Sequence, residues 1–178
     1  MEEFKNYQPP HWTEWFMRMV YLVASKSKDP RTKIGAVVVN SQNRLLSIGY
    51  NGMPIGVNDD VSERRERPLK YEYFVHGEAN CCYSAANLGI SLNNSILYTQ
   101  GIPCTKCTQA IIQSGISKIV VHKQWMDWEQ ETKLAGTTSI YRENGISREM
   151  LDETGIGIQI LDVKLDVVGY LDGKTKSL

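Results

Sequence analysis

The 178-residue sequence has no excess of either charge, because 20 Lys and Arg residues are balanced by 20 Asp and Glu residues. A chain without an excess of positive charge lacks the general electrostatic attraction that binds a long phosphate backbone, so we expect no polynucleotide partner. No apolar run approaches the roughly 20 residues of a membrane span. The acidic, polar residues 1–10 also do not have the pattern of a secretory signal. We therefore expect a cytoplasmic protein without a membrane partner.

Cysteine is scarce as well, with four residues in the chain. Two are adjacent, Cys81 and Cys82, and two form the pair Cys104-x-x-Cys107. This arrangement makes a poor disulfide framework and favours a reducing compartment and metal chemistry. Cys81 and Cys82 fall inside a predicted helix, where small core-filling side chains are favoured over additional metal ligands.

Strand and helix patterns alternate along most of the chain. Apolar periodicity predicts a first helix with Thr13 as its N-cap, which ends near Pro30. The other predicted helices are 77–88, 105–114 and 147–154, the last capped by Ser147, and the predicted strands are 34–40, 45–50, 95–100, 118–123 and 157–163.

These elements predict a single α/β domain over residues 1–178. The polar turn between the first two strands is short enough to make them an antiparallel hairpin. Strands that alternate with helices after such a hairpin favour a mixed five-stranded sheet with helices on both faces, in three layers. The last residues, 172–178, are predicted to be a frayed tail.

Two regions do not follow the alternation. Residues 51–73 are predicted to form a long surface loop with a helical turn, and loops of that length are commonly functional. Residues 124–145 give no clear pattern and stay without an assignment. The aromatic residues Trp125 and Trp128 in this region indicate either an interface between subunits or packing in the core.

A pattern of metal-binding residues carries the functional argument. His76-Gly77-Glu78 is followed by Pro103-Cys104-x-x-Cys107, in the order found in zinc nucleobase deaminases. One imidazole and two thiolates leave the fourth position of a tetrahedral zinc open for water, whereas a structural site normally closes it. Both ligand groups stand at predicted helix starts, where the helix dipole favours thiolate.

Glu78 follows the ligand His76 by two residues, so it can face the bound water without binding the metal. We expect Glu78 to take the water's proton, deliver a proton to ring N3 and assist the departure of ammonia. A Cys-x-x-Cys pair alone is as typical of a structural zinc knuckle or a redox pair as of a catalytic site. Its combination with the preceding His-x-Glu motif favours a catalytic zinc. The lone His11 and His122 are not expected to bind metal.

The sequence resembles the deoxycytidylate (dCMP) deaminases of the cytidine deaminase-like superfamily, from about Trp15 to at least Val121. The stretches that carry the resemblance are SKSKDPRTKIGAVVVN (25–40), GYNGMPIG (49–56), VHGEAN (75–80) and LYTQGIPCTKCTQAIIQSGISKIVV (97–121). The zinc motif is shared by the whole superfamily. Residues 49–54 and 111–116 resemble the dCMP deaminases in particular. The chain departs from the family at Gly77, where Ala is usual, and over 125–146.

The resemblance implies zinc-dependent hydrolysis of dCMP to dUMP and ammonia by a homo-oligomer, typically a hexamer. It implies activation by dCTP and inhibition by dTTP, with Mg²⁺ accompanying the triphosphate. The implied substrate contacts are Asn51, Lys33 and Ala79, and the implied effector contacts are Lys28, Gly49, Tyr50, Asn51 and Gly52. Asn51 fits either pocket, and a turn required by the backbone is the alternative explanation of the block.

Several alternatives stay open from the residues alone. Lys28, Arg31 and Lys33 are candidates for phosphate contacts, but a solvated cationic turn is equally expected. The run Arg64–Arg67 favours an exposed face over a ligand clamp. The expected substrate is dCMP, dCTP or both. A related enzyme that acts on a free nucleoside or on adenosine in tRNA is the second alternative. A non-catalytic zinc-binding relative is disfavoured, because a structural zinc has no need of Glu78.

Overall fold

The computed structural model describes residues 8–134 and 139–178, and for residues 134 and 139–144 it describes the backbone alone. A five-stranded sheet in the order β2-β1-β3-β4-β5 forms its centre. The strands are β1 (Gly35–Val39), β2 (Leu45–Tyr50), β3 (Ile96–Thr99), β4 (Lys118–His122) and β5 (Gly157–Leu161). β1 runs antiparallel to β2 and β3, while β3, β4 and β5 are parallel. The predicted mixed sheet is confirmed.

Helices cover both faces of the sheet. They are α1 (Trp12–Ala24), α2 (Lys70–Tyr73), α3 (Gly77–Asn87), α4 (Thr105–Gln113), α5 (Lys123–Leu134) and α6 (Ser139–Glu153). The long loop after β2 contains α2 and a 3-10 turn at Ser62–Arg65, as predicted. Thr13 is not the N-cap of α1, because the imidazole of His11 accepts a hydrogen bond from the Thr13 N–H and caps the helix.

Each face of the sheet has its own core. On one face, α1 packs Phe16 and Val20 against Val37 and Val39 of β1. The opposite core is built from α3, α4 and α6 against the sheet and includes Ala36, Val38, Cys81, Ala85, Leu97, Ile111, Ile119 and Leu151. β1 is buried along its whole length because both of its faces are covered. No helix among the described residues is long and apolar enough to cross a membrane.

The segment left without an assignment is helical over the residues that the structure describes, in α5 and α6. Ser147 lies inside α6 and is fully buried, so the prediction that it caps a helix was wrong. Trp125 and Trp128 are also buried, with exposed fractions of 1% and 7%. Packing in the core therefore accounts for these two residues, and a subunit interface is not needed to cover them.

The predicted frayed tail is instead half of a β-hairpin. β6 (Val168–Leu171) pairs antiparallel with β7 (Lys174–Ser177), and Leu178 is 1% exposed. The residues of β7 are all exposed, so they show none of the apolar alternation that marks a strand. The overlooked signal is Asp172-Gly173, both at positive φ, which is the pair that tight hairpin turns prefer.

Candidate active site

The N-termini of two helices, α3 and α4, lie close together. His76 is the N-cap residue of α3, and Cys104 is the N-cap residue of α4, which follows β3. The ligand atoms of His76, Cys104 and Cys107 all lie within 4.8 Å of one another. His76 is exposed, Cys104 is half-buried and Cys107 is buried, so the cluster opens to solvent on one side.

The chemistry of this cluster fits a zinc ion. A hydrogen bond from Cys107 and the nearby His76 together lower the pKa of the Cys104 thiol to about 4. The Nδ1 atom of His76 lies 3.3 Å from Cys104 Sγ. One imidazole and two sulfurs are ligands that zinc prefers, and a set of three leaves room for water. These three residues could therefore hold a catalytic zinc rather than a closed structural one.

Glu78 lies beside the cluster without being part of it. Its Oε2 atom is 3.5 Å from Cys107 Sγ, and its Oε1 atom is 3.4 Å from the hydroxyl of Thr99. The side chain is buried, and this burial raises the pKa of the Glu78 carboxyl. A buried carboxyl with a raised pKa next to a metal-ligand cluster is suited to carry protons as a general acid and base.

Two glycines allow α3 to approach the sheet closely. A Cβ atom on Gly49 would lie 2.3 Å from the Cys81 nitrogen and 2.4 Å from the Gly77 oxygen, so β2 and α3 touch through their backbones. A Cβ atom on Gly77 would lie 2.9 Å from the Ile34 oxygen. The glycine at 77 thus has a packing reason in this chain, since the carbonyl of Ile34 occupies the space beside it.

The block 49–52 fixes the segment that leads into His76. Gly52 and Val75 form an isolated bridge in which each N–H donates to the other's carbonyl, at 3.0 and 2.8 Å. The side chain of Asn80 in α3 donates to the Tyr50 carbonyl at 2.8 Å. The Tyr50 side chain itself is 38% exposed. The backbone of this block therefore positions His76, the first residue of the metal-ligand cluster, through its neighbour Val75.

The side chain of Asn51 is occupied by the protein. Its Oδ1 atom accepts from the Ile34 N–H at 2.8 Å. Its Nδ2 atom donates to Asp29 Oδ2 at 2.9 Å and to the Thr32 carbonyl at 2.8 Å. Asp29, which is fully buried, is also paired with Lys70 at 2.5 Å. Asn51 thus holds the turn at 27–34, a role that sequence reasoning did not assign to it.

The three candidate phosphate-binding cations of this turn are each engaged within the chain. Lys28 pairs with Asp59 and Asp60 at 2.8 and 3.2 Å. Arg31 lies 3.6 Å from a carboxylate oxygen of Asp172. Lys33 donates to the Ser27 carbonyl, and its Nζ atom lies 5.6 Å from the ring centre of Tyr170.

The other residues singled out in the sequence are also placed. Ala79 is buried in the first turn of α3. Within the arginine run, Arg64 and Arg67 lie over the rings of Tyr73 and Tyr71, at 4.8 and 5.8 Å from the ring centres. These arginines therefore belong to the loop's own packing.

The remaining cysteines and histidines lie outside the cluster. Cys81 and Cys82 belong to the core, and burial raises the pKa of the Cys81 thiol to about 12. His122 is buried, with its Nδ1 atom 2.7 Å from the Tyr21 hydroxyl and its Nε2 atom 3.0 Å from the Val163 carbonyl. Cys81 and Cys82 are therefore core-filling residues, as predicted, and both ring nitrogens of His122 are engaged by protein groups.

Two polar residues at the end of β3 were missed by sequence reasoning. Thr99 and Gln100 are buried, with exposed fractions of 0% and 1%. The side-chain amide of Gln100 accepts from the Gly35 N–H at 2.7 Å and donates to the Lys33 carbonyl at 2.9 Å. Their signal in the sequence is the presence of two polar residues where an apolar strand ends, shortly before Pro103.

A mixed sheet that carries a His/Cys/Cys cluster and an adjacent buried carboxyl at two helix starts defines the zinc deaminase class. The model of a family described as the cytidine and deoxycytidylate deaminase zinc-binding region matches residues 10–123. The chain belongs to this family, which confirms the resemblance found in the sequence.

Several relatives are named for one substrate. A probable deoxycytidylate deaminase of Drosophila melanogaster is 40% identical over 129 residues, which span 67% of this chain and 63% of the relative. The deoxycytidylate deaminase of Mus musculus is 34% identical over 139 residues, spanning 71% of this chain and 77% of the relative. The chain thus matches less than two thirds of the Drosophila protein's length.

A solved structure supports the fold. The dCMP deaminase from the cyanophage S-TIM5, in complex with dCMP and dUMP, aligns with a TM-score of 0.62 over 87% of this chain and 100% of the phage chain. The two sequences are 22% identical, so the likeness shows a shared fold. That fold is the mixed sheet with flanking helices described above.

Proposed function

We propose that this protein is a dCMP deaminase, which converts dCMP and water to dUMP and ammonia. The observation that carries the proposal is the position of Glu78, whose carboxyl lies 3.5 Å from Cys107 Sγ but outside the trio of ligand residues. The relatives named deoxycytidylate deaminase, at 34% and 40% identity, support deoxycytidine monophosphate as the substrate.

The residues of the site have distinct roles in this reaction. His76, Cys104 and Cys107 would hold the zinc, which when bound lowers the pKa of a coordinated water to about 7. Glu78 takes a proton from the attacking water and gives one to ring N3 of cytosine. The C4–N4 bond then breaks, and the same carboxyl assists the departure of ammonia. Because burial raises its pKa, Glu78 can hold that proton between the two transfers.

The test is an assay of ammonia release from dCMP, dCTP, deoxycytidine and cytosine. We expect dCMP to give the highest kcat/KM. A higher kcat/KM for dCTP would replace dCMP with the triphosphate, and turnover of none of the four would favour a non-catalytic zinc-binding protein.

Glu78→Gln is the matched variant for the chemistry. It keeps the size of the side chain but cannot shuttle a proton, so kcat should fall about 10²- to 10⁴-fold. The zinc content should stay unchanged, because Glu78 is not a ligand. A variant that keeps most of its turnover would show that the proton is carried elsewhere.

We also propose that dCTP activates and dTTP inhibits the enzyme, with Mg²⁺ bound to the triphosphate, in a cytoplasmic homohexamer. The support is the resemblance of the block 49–52 to the regulatory site of the family, together with the exposure of Tyr50 within the block and of Lys28. The four free cysteines agree with a reducing compartment.

The regulatory proposal has its own measurements. dTTP should raise and dCTP lower the dCMP concentration at half-maximal rate, each by a coupling free energy of about 1–3 kcal/mol. The effect of dTTP should depend on added Mg²⁺. A rate that ignores both triphosphates up to millimolar concentrations contradicts regulation, and a monomer in light scattering contradicts the hexamer.

A further inference from the structure

Thr99 lies at the end of β3 with its hydroxyl directed at the carboxyl of Glu78. Its side chain is fully buried, and Oγ1 lies 3.4 Å from Glu78 Oε1 and 3.1 Å from the Gly35 carbonyl oxygen. We propose that Thr99 is a positioning residue that holds the Glu78 carboxyl in its reactive orientation. This inference rests on the proposed function, because it acts through the role given to Glu78.

The second oxygen of Glu78 has a different kind of neighbour. Oε2 faces Cys107 Sγ at 3.5 Å, and a cysteine that binds metal does so as a thiolate without a proton to donate. Such a sulfur cannot hold the carboxyl by donating a hydrogen bond. The hydroxyl of Thr99 is not a metal ligand and keeps its proton, so it can hold Glu78 when the metal is bound.

The position of Thr99 is set by the sheet rather than by a loop. It pairs with Ala36 of β1 on one side and with Val121 of β4 on the other, in the middle of the five strands. Groups carried on a central strand are held more precisely than groups on a loop. The one hydroxyl proton can be donated either to Glu78 Oε1 or to the Gly35 carbonyl, so the hydroxyl stays between these two acceptors on the rigid strand.

The variant that isolates the hydroxyl is Thr99→Val, which keeps the branched shape of the side chain. A misplaced carboxyl should slow the chemical step, so we expect kcat to fall about 10- to 100-fold while KM changes less than about 3-fold. Thr99→Ser keeps the hydroxyl and should retain kcat within about 5-fold of wild type. Zinc content should be unchanged in both.

The matched control is Ser47→Ala. Ser47 is a buried hydroxyl that donates to the Cys81 carbonyl at 2.7 Å, so it ties β2 to the same helix that carries Glu78. This variant loses a buried hydrogen bond to α3 but leaves the carboxyl untouched. Its kcat should stay within about 2-fold of wild type even if its melting temperature falls.

A second pair of variants keeps the test sharp if Thr99→Val fails to fold. Thr99→Ser and Thr99→Ala both lose the methyl group and differ only in the hydroxyl, so the serine variant should have the higher kcat. In a Glu78→Gln background, replacing Thr99 by Val should have no further effect on kcat. Equal kcat for the serine and alanine variants, or a further loss in the Gln background, overturns the proposal.

The outcomes separate this inference from the function on which it rests. If Glu78→Gln is inactive while zinc-loaded Thr99→Val turns over like wild type, Thr99 has no positioning role and the proposed function stands. If Glu78→Gln is itself active, both the proton-carrying role of Glu78 and the positioning role of Thr99 are overturned.

Discussion

The amide of Asn51 and the carboxylate of Asp29 are joined by a buried 2.9 Å hydrogen bond, which links the block after β2 to the turn after α1. The same amide also serves the Ile34 N–H and the Thr32 carbonyl. A side chain whose donors and acceptor are all used within the protein should act first on stability, and any effect on ligands should follow from that.

Asn51→Ala should therefore destabilise the protein. It leaves the Ile34 N–H and the Thr32 carbonyl without their side-chain partner and removes one of the two partners of the buried Asp29 Oδ2 atom. We expect the free energy of unfolding to fall by about 2–4 kcal/mol. Asn80→Ala is the control, because its amide makes a solvent-exposed bond to the Tyr50 carbonyl and should cost about 1 kcal/mol. Urea denaturation measures both. Equal stability of the two variants, with loss of only the dTTP response in Asn51→Ala, would place Asn51 in the effector site.

Leu178 gives a direct test of the C-terminal hairpin. It is buried, and its side chain approaches Gly169 beside the rings of Trp125 and Trp128. Leu178→Ala should lower the free energy of unfolding by about 2–4 kcal/mol, as expected for a leucine removed from a core. Leu88→Ala, at a position 70% exposed, should change it by less than about 0.5 kcal/mol. A frayed tail would make the two variants equivalent in thermal or urea unfolding.

The cluster at the helix starts should hold one zinc per chain. Cys107→Ala removes a buried ligand, so metal analysis of the purified variant should find zinc reduced to a small fraction of the wild-type content. Cys82→Ala removes a buried cysteine from the core and should keep the metal. Undiminished zinc in Cys107→Ala would show that the ligands have been misassigned.

His122 should make the stability depend on pH. Burial lowers its pKa, so the folded chain takes up a proton at lower pH than the unfolded chain, whose histidine titrates near 6.5. Stability contributed by neutral His122 is thus present above about pH 6.5 and is lost as pH falls toward the folded pKa. His122→Gln should lose less stability than wild type between pH 7 and pH 5. Zinc loss at low pH affects both proteins and cancels in the comparison, and parallel pH curves would contradict the prediction.

The sequence predicts those helices and strands in which burial imposes a regular pattern of apolar residues. β1 is a continuous apolar run because both of its faces are buried, and α1 has an apolar stripe because one of its sides packs on the core. β7 has no such pattern because its residues are exposed, and its turn at Asp172-Gly173 is the feature that identifies it. α5 buries two tryptophans at a spacing of three residues among polar neighbours, which is a weak helical signal.

The site divides in the same way. His76, Glu78 and the cysteine pair are recognisable because metal chemistry fixes both the residue types and their spacing. The roles of Asn51 and Thr99 are not recognisable, since their partners are distant in the sequence. Asn51 bonds to Asp29, 22 residues away, and Thr99 bonds to Glu78, 21 residues away. No local pattern reports such contacts.

The turn at 27–34 is assembled from contacts of very different sequence separation, and this bears on how the protein folds. Its hydrogen bonds reach Asn51 over 22 residues, Gln100 over 67 residues and Asp172 over 140 residues. Closing such loops costs chain entropy that a local turn cannot recover by itself. The turn should therefore become ordered late, when β3 and the C-terminal hairpin have already docked. A chain that has formed only β1 and β2 would still lack the contacts of Arg31 with Asp172 and of Lys33 with Tyr170, because both depend on the C-terminal hairpin.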